Sequence, residues 1–487
     1  MSTGRLRKLR RRLVPVALTR VIAARWTELA TYAASLAGVV AFARFALLRH
    51  EHFQSQAYDL GFFDQVVWNT SRGHLFATSF ESYNFLGVHF QPVLLIFAAM
   101  YRLGAGVELL LIVQAIFVAA AAVPLYYAMR RLTSSSVAAL AMALAFLLTT
   151  SLHNALDFDF HPEMLGFFFA FLALYLLAAQ RPLATIVSLL PLLTLKEDMP
   201  LILGAFAVLL FVEGHRWYAG RLMAIAIGWM VVIAFVTMPL IRWGDAGLTA
   251  RYGYLSRGSS ALSLVPNLIW RGAQQLQGAW ESALPHLLPA FVLALFAPLA
   301  AVLVLPALVF HSLSIHDPQA HLDLHYVMMP LALSFIGAAI GLRSISRGDG
   351  VAGWTRRLGT PRFRVAVAAG AMLAATALVF WMNSPYSPQA DRSAPDAAHV
   401  AVLEQALRLI PGDASVAAQS TVLPHASQRA HVFEFPIVDH ADYAIIDSNL
   451  SISSHERDDG YDAAAQSMPS FEQIFSSDGV RVFRRLP

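Results

Sequence analysis

Eleven apolar segments recur between residues 27 and 383, and no soluble fold of this length buries so many. They lie at 27–48, 107–129, 134–152, 163–179, 182–195, 198–213, 219–241, 285–298, 299–313, 325–343 and 364–383. A helix needs about 20 apolar residues to cross a hydrocarbon core ~30 Å thick. Several of these segments are shorter, so they require support from neighbouring helices or a locally thinned bilayer. Only 14% of residues are charged while 57% are hydrophobic, against about 25% charged in ordinary soluble domains. The expected class is an α-helical polytopic membrane protein. The chain has no cysteine, which excludes disulfides, thiolate metal sites and cysteine nucleophiles.

Charge placement sets the expected topology. Arg5, Arg7, Lys8, Arg10, Arg11, Arg12, Arg20 and Arg25 precede the first acidic residue, and the apolar run from Thr27 follows. This is the pattern of an uncleaved signal anchor with residues 1–26 as a basic cytoplasmic arm. The net charge of +4 is explained by such membrane-flanking arginines, and no nucleic-acid partner is expected. The aromatic-rich segment 88–103 decides the parity. If it crosses, Arg130, Arg131 and the arginines between 343 and 364 fall outside. If it lies on the membrane surface, both clusters fall in the cytoplasm, as the positive-inside rule requires. The expectation is therefore eleven spans in a transmembrane domain at 27–383, a first external loop at 49–106 with surface helices, and an external C-terminus.

After Asn383 the sequence turns polar, and prolines 385, 388 and 395 mark a linker over 384–397. Residues 398–487 read as a small external α/β domain. A helix is expected over 398–409, ended by Pro411-Gly412, with strands at 415–418, 431–435 and 443–446. A hairpin around Asp478-Gly479 joins 473–475 to 480–483.

With that parity, five polar clusters share the external face: Asp59 with Asp64, His89, the run Asp157 to His161, Lys196-Glu197-Asp198, and His311 to His325. Ionisable groups at span ends are costly unless they pair or line a wet cavity. Asp59 begins an amphipathic segment whose Leu60, Phe63, Val67 and Trp68 are expected to face the membrane. It can cap that helix, or serve as a general base at the membrane surface. Asp157, Asp159 and His161 alternate with phenylalanines, so an extended backbone would put all three on one face. There they could hold a divalent cation, or belong to a solvated loop. Lys196 and Lys8 are the only lysines among 35 basic residues. Lys196 suits a phosphate oxygen or a buried ion pair with Glu197 or Asp198. His321, Asp323 and His325 alternate too, leaving metal binding, proton transfer, sugar hydrogen bonding or a histidine-rich loop open.

The segments YDLGFFDQ (58–65), GVHFQP (87–92), DFDFHPE (157–163), LKEDMPL (195–201) and HLDLHY (321–326) together resemble a bacterial multi-pass membrane family of unknown function. So do SVAAQSTVLPHASQR (415–429) and ADYAIIDS (441–448). That family is grouped with the GT-C class of membrane glycosyltransferases. The resemblance implies a GT-C-like fold, a polyprenyl-phosphate-linked sugar donor and transfer on the non-cytoplasmic face of the bacterial inner membrane. It also implies a catalytic carboxylate in the first external loop, at Asp59 or Asp64.

The resulting expectation is a glycosyltransferase acting on an envelope glycan, lipid or protein. Lys196 would neutralise the leaving phosphate, and His89, His161, Glu197, Asp198, His316 and His325 would bind substrate or tune those groups. A divalent metal held by Asp157, Asp159 and His161 is the one cofactor considered. Walker, Rossmann and HExxH motifs are absent. Two other classes remain: a transporter or lipid flippase, against which the absence of repeated halves counts, and a non-catalytic sensor or assembly factor.

Overall fold

The computed structural model describes residues 3–242, 266, 270, 284–314, 316–390, 395–449 and 468–487. The basic arm and first apolar segment form one continuous helix, Thr3–Glu51. Six described helices are long and apolar enough to cross a membrane: Arg25–Glu51, Glu108–Thr133, Ser136–Asp157, Arg216–Ile241, Pro318–Arg347 and Pro361–Asn383. Shorter apolar helices span Pro162–Ala178, Pro182–Thr194, Pro200–Val212 and Pro298–Ser312. The chain is thus a helical, multi-pass membrane protein. Among the described residues, six helices have the length and hydropathy of a full crossing and four more are apolar but shorter.

Close packing between the spans depends on small and hydroxylated residues, because apolar side chains gain little by leaving lipid for each other. Thr27 Oγ1 meets Tyr126 Oη at 2.9 Å, and Ser35 donates to the Ala119 carbonyl at 2.9 Å. Gly337 and Gly341 sit one turn apart on the helix Met328–Arg347. A Cβ at Gly341 would collide with the Leu293 carbonyl, and one at Gly337 would lie 2.8 Å from Ala294 Cβ. The helix Leu284–Ala294 can approach this closely only over glycine.

The first loop does not spread over the membrane as its amphipathicity suggests. Leu60, Phe63 and Val67 are buried in the main core, so the apolar side of Phe62–Ser71 packs inward and supports the site. Within the segment 88–103, Val88 ends the short helix Phe85–Val88 and the remaining helix is Leu94–Arg102. Nine residues rise about 14 Å, too little to cross the core. Its Leu95, Ile96 and Met100 are exposed, as is the following Leu103.

The C-terminal part carries a five-stranded sheet in the order β2-β1-β3-β5-β4. Its strands are β1 Val416–Ala418, β2 Val432–Glu434, β3 Tyr443–Asp447, β4 Phe471–Ser477 and β5 Val480–Arg485. β1 pairs in parallel with β2 and β3, and β5 runs antiparallel to β3 and β4. Asp478 and Gly479 both take positive φ in the two-residue turn, as a tight hairpin requires. Alternation along the strands splits the core. Val416, Ala418, Ile445 and Val482 pack with Leu403 and Ala406 of the helix Ala397–Arg408, while Ala417, Ala444, Ile446 and Phe483 fill the other side.

This sheet docks on the first loop. Phe53 and Ala57 belong to its helix-side core, and the His50 and His425 rings stack 4.2 Å apart. The end of the first span and the C-terminal sheet therefore lie on the same side of the helical bundle. Arginines occupy the other ends of the spans: Arg343 pairs with Glu213, and Arg131 donates to the Ala178 carbonyl.

Candidate functional site

A cavity of about 850 Å³ opens where the first loop, the span ends and the C-terminal sheet meet. Its walls include Asp59, His89, Asp157, His161, Lys196, His316 and His325, which lie on five separate stretches of sequence. Arg49, Glu163 and Tyr326 join them, together with Ser420, Glu434 and Phe435 from the C-terminal part. Ser420 follows β1, while Glu434 ends β2 and Phe435 follows it. Both stretches lie at the carboxyl ends of parallel strands, where open α/β sheets commonly receive ligands.

Glu163 is the hub. Its Oε1 accepts from Lys196 Nζ at 2.5 Å and lies 3.6 Å from His325 Nε2, and its Oε2 accepts from Gln91 Nε2 at 3.2 Å. The Lys196 ammonium also lies 5.1 Å from the centre of the Tyr326 ring. Burial alone would depress the Lys196 pKa, but the Glu163 carboxylate outweighs it and holds the pKa above the ordinary lysine value. The sequence suggested Glu197 or Asp198 as ion-pair partners for Lys196; the geometry assigns that position to Glu163. Glu197 instead lies 3.1 Å from His89 Nδ1 and accepts the Phe90 N–H at 3.0 Å. It positions His89 from behind the cavity wall. Asp198 is buried and outside the lining.

Asp59 caps no helix: the π-turn Ala57–Gly61 and the helix Phe62–Ser71 both start without a side-chain cap. Its Oδ1 lies 3.4 Å from His161 Nε2 at the cavity wall. Asp64 lies elsewhere. It is fully buried and accepts hydrogen bonds from Tyr101 Oη at 2.7 Å, Ser427 Oγ at 2.5 Å and Gln428 Nε2 at 3.1 Å. It binds the C-terminal part to the first loop rather than lining the cavity.

The run from Asp157 to His161 is not extended. Asp157 ends a helix and Asp159 has a φ of 60°, so the polar side chains do not share a face. Asp157 lies 3.2 Å and Asp159 3.4 Å from the Arg49 guanidinium. Asp159 also accepts the Gln56 N–H at 2.7 Å. Arg49 thus occupies the place considered for a cation. Among the described residues no group of three or more His, Asp or Glu side chains is arranged to hold a metal ion. Phe158 faces the cavity and stacks on His161, while Phe160 is buried against Phe63 and Phe97.

Arg49 and Glu163 escaped the sequence reading. Arg49 directly follows a long apolar run, where a flanking arginine is ordinary. Glu163 read as a helix start, although a lone carboxylate opening the apolar stretch 163–179 was a usable signal.

A one-ended cavity of acids, histidines and two cations, set in a multi-pass helical bundle, defines the class. The chain belongs to the family described as Predicted membrane protein (DUF2079), whose model matches residues 49–473. Among solved structures it is similar to ArnT from Cupriavidus metallidurans in the apo state, with 14% identity and a TM-score of 0.45 over 92% of this chain and 98% of that one. ArnT bound to undecaprenyl phosphate gives 13% and 0.44 over 91% and 97%. The oligosaccharyltransferase AglB from Archaeoglobus fulgidus, in complex with an inhibitory peptide and a dolichol-phosphate, gives 10% and 0.44 over 88% and 70%. No curated protein matches the chain.

Proposed function

We propose that this protein is a GT-C-type glycosyltransferase. It moves a sugar from a polyprenyl-phosphate donor to a hydroxyl of an extracytoplasmic envelope acceptor. The supporting observation is a single cavity that carries a carboxylate, Asp59, and two cations, Lys196 and Arg49, at one end of the spans. Transfer from a phosphate leaving group needs both. Fixed positive charge stabilises the departing phosphate in a low-dielectric site, and a carboxylate drives deprotonation of the acceptor. One ammonium proton of Lys196 goes to Glu163, and the other two are available to phosphate oxygens. Glu434 and Phe435 give the C-terminal part a share of the wall, where it guides the acceptor.

The placement that goes with this reading is the bacterial inner membrane. Residues 1–26 are a cytoplasmic arm, 27–383 an eleven-span domain, 384–397 a linker and 398–487 an external domain. The cavity then opens on the non-cytoplasmic face. The test uses the purified chain in nanodiscs with a synthetic polyprenyl-phosphate sugar, reading release of free polyprenyl phosphate. Envelope glycans of a deletion strain are compared by mass spectrometry with those of an Asp59→Asn strain. Identical glycans in deletion and wild type, with no release in vitro, would remove the transferase reading.

A further inference from the structure

At the arginine end of the spans an apolar slot of about 620 Å³ lies between the helices Leu284–Ala294 and Pro361–Asn383 and the 3₁₀ helix Gly350–Leu358. It shares no lining residue with the cavity described above. Val367, Ala368, Ala371, Met372 and Ala375 form one wall, on one face of their helix. Alanine at three of these positions leaves the wall hollow. Leu288, Val292 and Phe296 stand on the facing side. Val292, Val367, Trp354 and Phe363 are exposed, so the slot opens sideways to lipid rather than into the bundle. From Arg364 to Ala375 the helix rises about 16 Å, close to the hydrocarbon depth of one leaflet, about 15 Å.

The arginine end of this slot carries concentrated positive charge. Arg364 lines it, is 6% exposed and donates to the Ser346 carbonyl at 3.0 Å, which fixes the guanidinium at the end of the helix Met328–Arg347. Arg356 reaches the same spot. Arg356 Nε and Arg364 Nη1 lie 2.9 and 3.0 Å from the one point that a Cβ on Gly348 would occupy. They are therefore close enough for a single phosphate group to touch both. Among the described residues neither guanidinium pairs with a carboxylate, and Glu213 at this end is held by Arg343. Two like charges so placed repel each other. An anion between them removes that repulsion, and the planar guanidinium matches phosphate oxygens.

We propose that this slot binds one anionic phospholipid, with an acyl chain between the two helices and the head-group phosphate on Arg356 and Arg364. Any lipid chain fills an apolar slot; the paired arginines select the head group. Trp354 and Phe363 border the slot beside the arginines, where aromatic side chains settle at a membrane–water boundary. The site stands apart from the transferase reading, since no residue of the larger cavity takes part in it.

The test reconstitutes the full chain in nanodiscs with equal amounts of phosphatidylglycerol and phosphatidylcholine. The protein is then released into detergent, and the lipids it retains are counted by native mass spectrometry. Wild type should keep one phosphatidylglycerol. One arginine near the membrane surface favours an anionic lipid about fivefold, so two give a preference of about thirtyfold. Arg356→Gln should lower that preference about fivefold. Ala371→Phe, at an exposed position, fills the slot with both arginines in place and should abolish retention. Arg357→Gln, exposed in the same 3₁₀ helix but outside the slot wall, should keep the wild-type preference. Equal retention of the two lipids by wild type overturns the proposal, as does unchanged retention in either Arg356→Gln or Ala371→Phe. A loss in Arg357→Gln as large as that in Arg356→Gln assigns the effect to diffuse surface charge and overturns it too.

Discussion

Lys196 Nζ lies 2.5 Å from Glu163 Oε1, and both side chains are almost fully buried. This ion pair joins the start of one apolar segment to the junction of two others. It gives Lys196 a structural duty beside its proposed one. Breaking a buried pair on one side leaves an uncompensated charge and costs about 3–5 kcal/mol. Lys196→Met alone should therefore lower the unfolding temperature strongly. The double variant Lys196→Met with Glu163→Gln should recover most of that loss, yet remain about a hundred- to a thousand-fold slower in transfer. Calorimetry beside the transfer assay separates the two effects. A double variant that regains full transfer would leave Lys196 with no part in phosphate stabilisation.

Asp64 is expected to control docking of the C-terminal part, not turnover. Asp64→Ala leaves buried donors from Tyr101, Ser427 and Gln428 unmatched, at about 1–3 kcal/mol for a group so stranded. Burial raises the Asp64 pKa to about 6, against the opposing hydrogen bonds from Ser427, Tyr101 and Gln428. The folded chain thus binds this proton more tightly than the unfolded chain, whose aspartate titrates near 3.9. Stability should fall as pH rises from about 4 through about 6. Asp64→Asn should flatten that window. Thermal melts of wild type and Asp64→Asn across pH 4–7 are the check, and parallel curves would exclude Asp64 as the titrating group.

His399 should give a slope of the same sign in a higher pH window. Burial would lower its pKa, but hydrogen bonds to Asp478 at 2.7 Å and Asp447 at 2.6 Å outweigh it and raise it. The folded state again holds the proton more tightly, but here the charged form is the favoured one. Its contribution is complete below the unfolded pKa near 6.5 and is lost as pH rises through the raised folded value. Protease cleavage near the helix Ala397–Arg408 should quicken with alkalinity in wild type and be insensitive to pH in His399→Gln. A wild-type rate flat from pH 6 to 9 would dismiss the bridge as a stabilising contact.

The candidate site was legible where chemistry stood out against an apolar background. Asp59, His161, Lys196 and His325 are conspicuous because ionisable residues at span ends need a reason. The sheet strands were legible too, since period-two alternation between turn residues is a local signal. Partner identity was not. Lys196 has acidic neighbours at 197 and 198, but the carboxylate it meets is 33 residues away. Sequence adjacency says nothing about which helix ends converge. The inward face of Phe62–Ser71 was misread for a related reason. Amphipathicity fixes that one side seeks apolar surroundings, but lipid and protein core satisfy it equally. The backbone at Asp159 was hidden as well, because a positive φ at aspartate leaves no pattern in the neighbouring residues.

Topology can be tested independently of activity. The loop after Glu51 and the C-terminal sheet are joined by Asp64, Ser427 and Gln428, so they share one side of the membrane. The helix Met328–Arg347 begins beside the cavity and ends at Arg343 and Arg347, about 30 Å away by helical rise. Arginine-rich ends tend to stay in the cytoplasm, which predicts that the cavity and sheet lie outside. Because the native chain has no cysteine, single cysteines report cleanly. Arg357→Cys samples the arginine end and Ser470→Cys the sheet, and both positions are exposed. In intact spheroplasts a membrane-impermeant thiol reagent should label position 470 and spare 357, which should react only after permeabilisation. Labelling of 357 but not 470 would invert the protein and put the cavity in the cytoplasm. Labelling of both in intact cells would break the single-face arrangement on which the shared cavity depends.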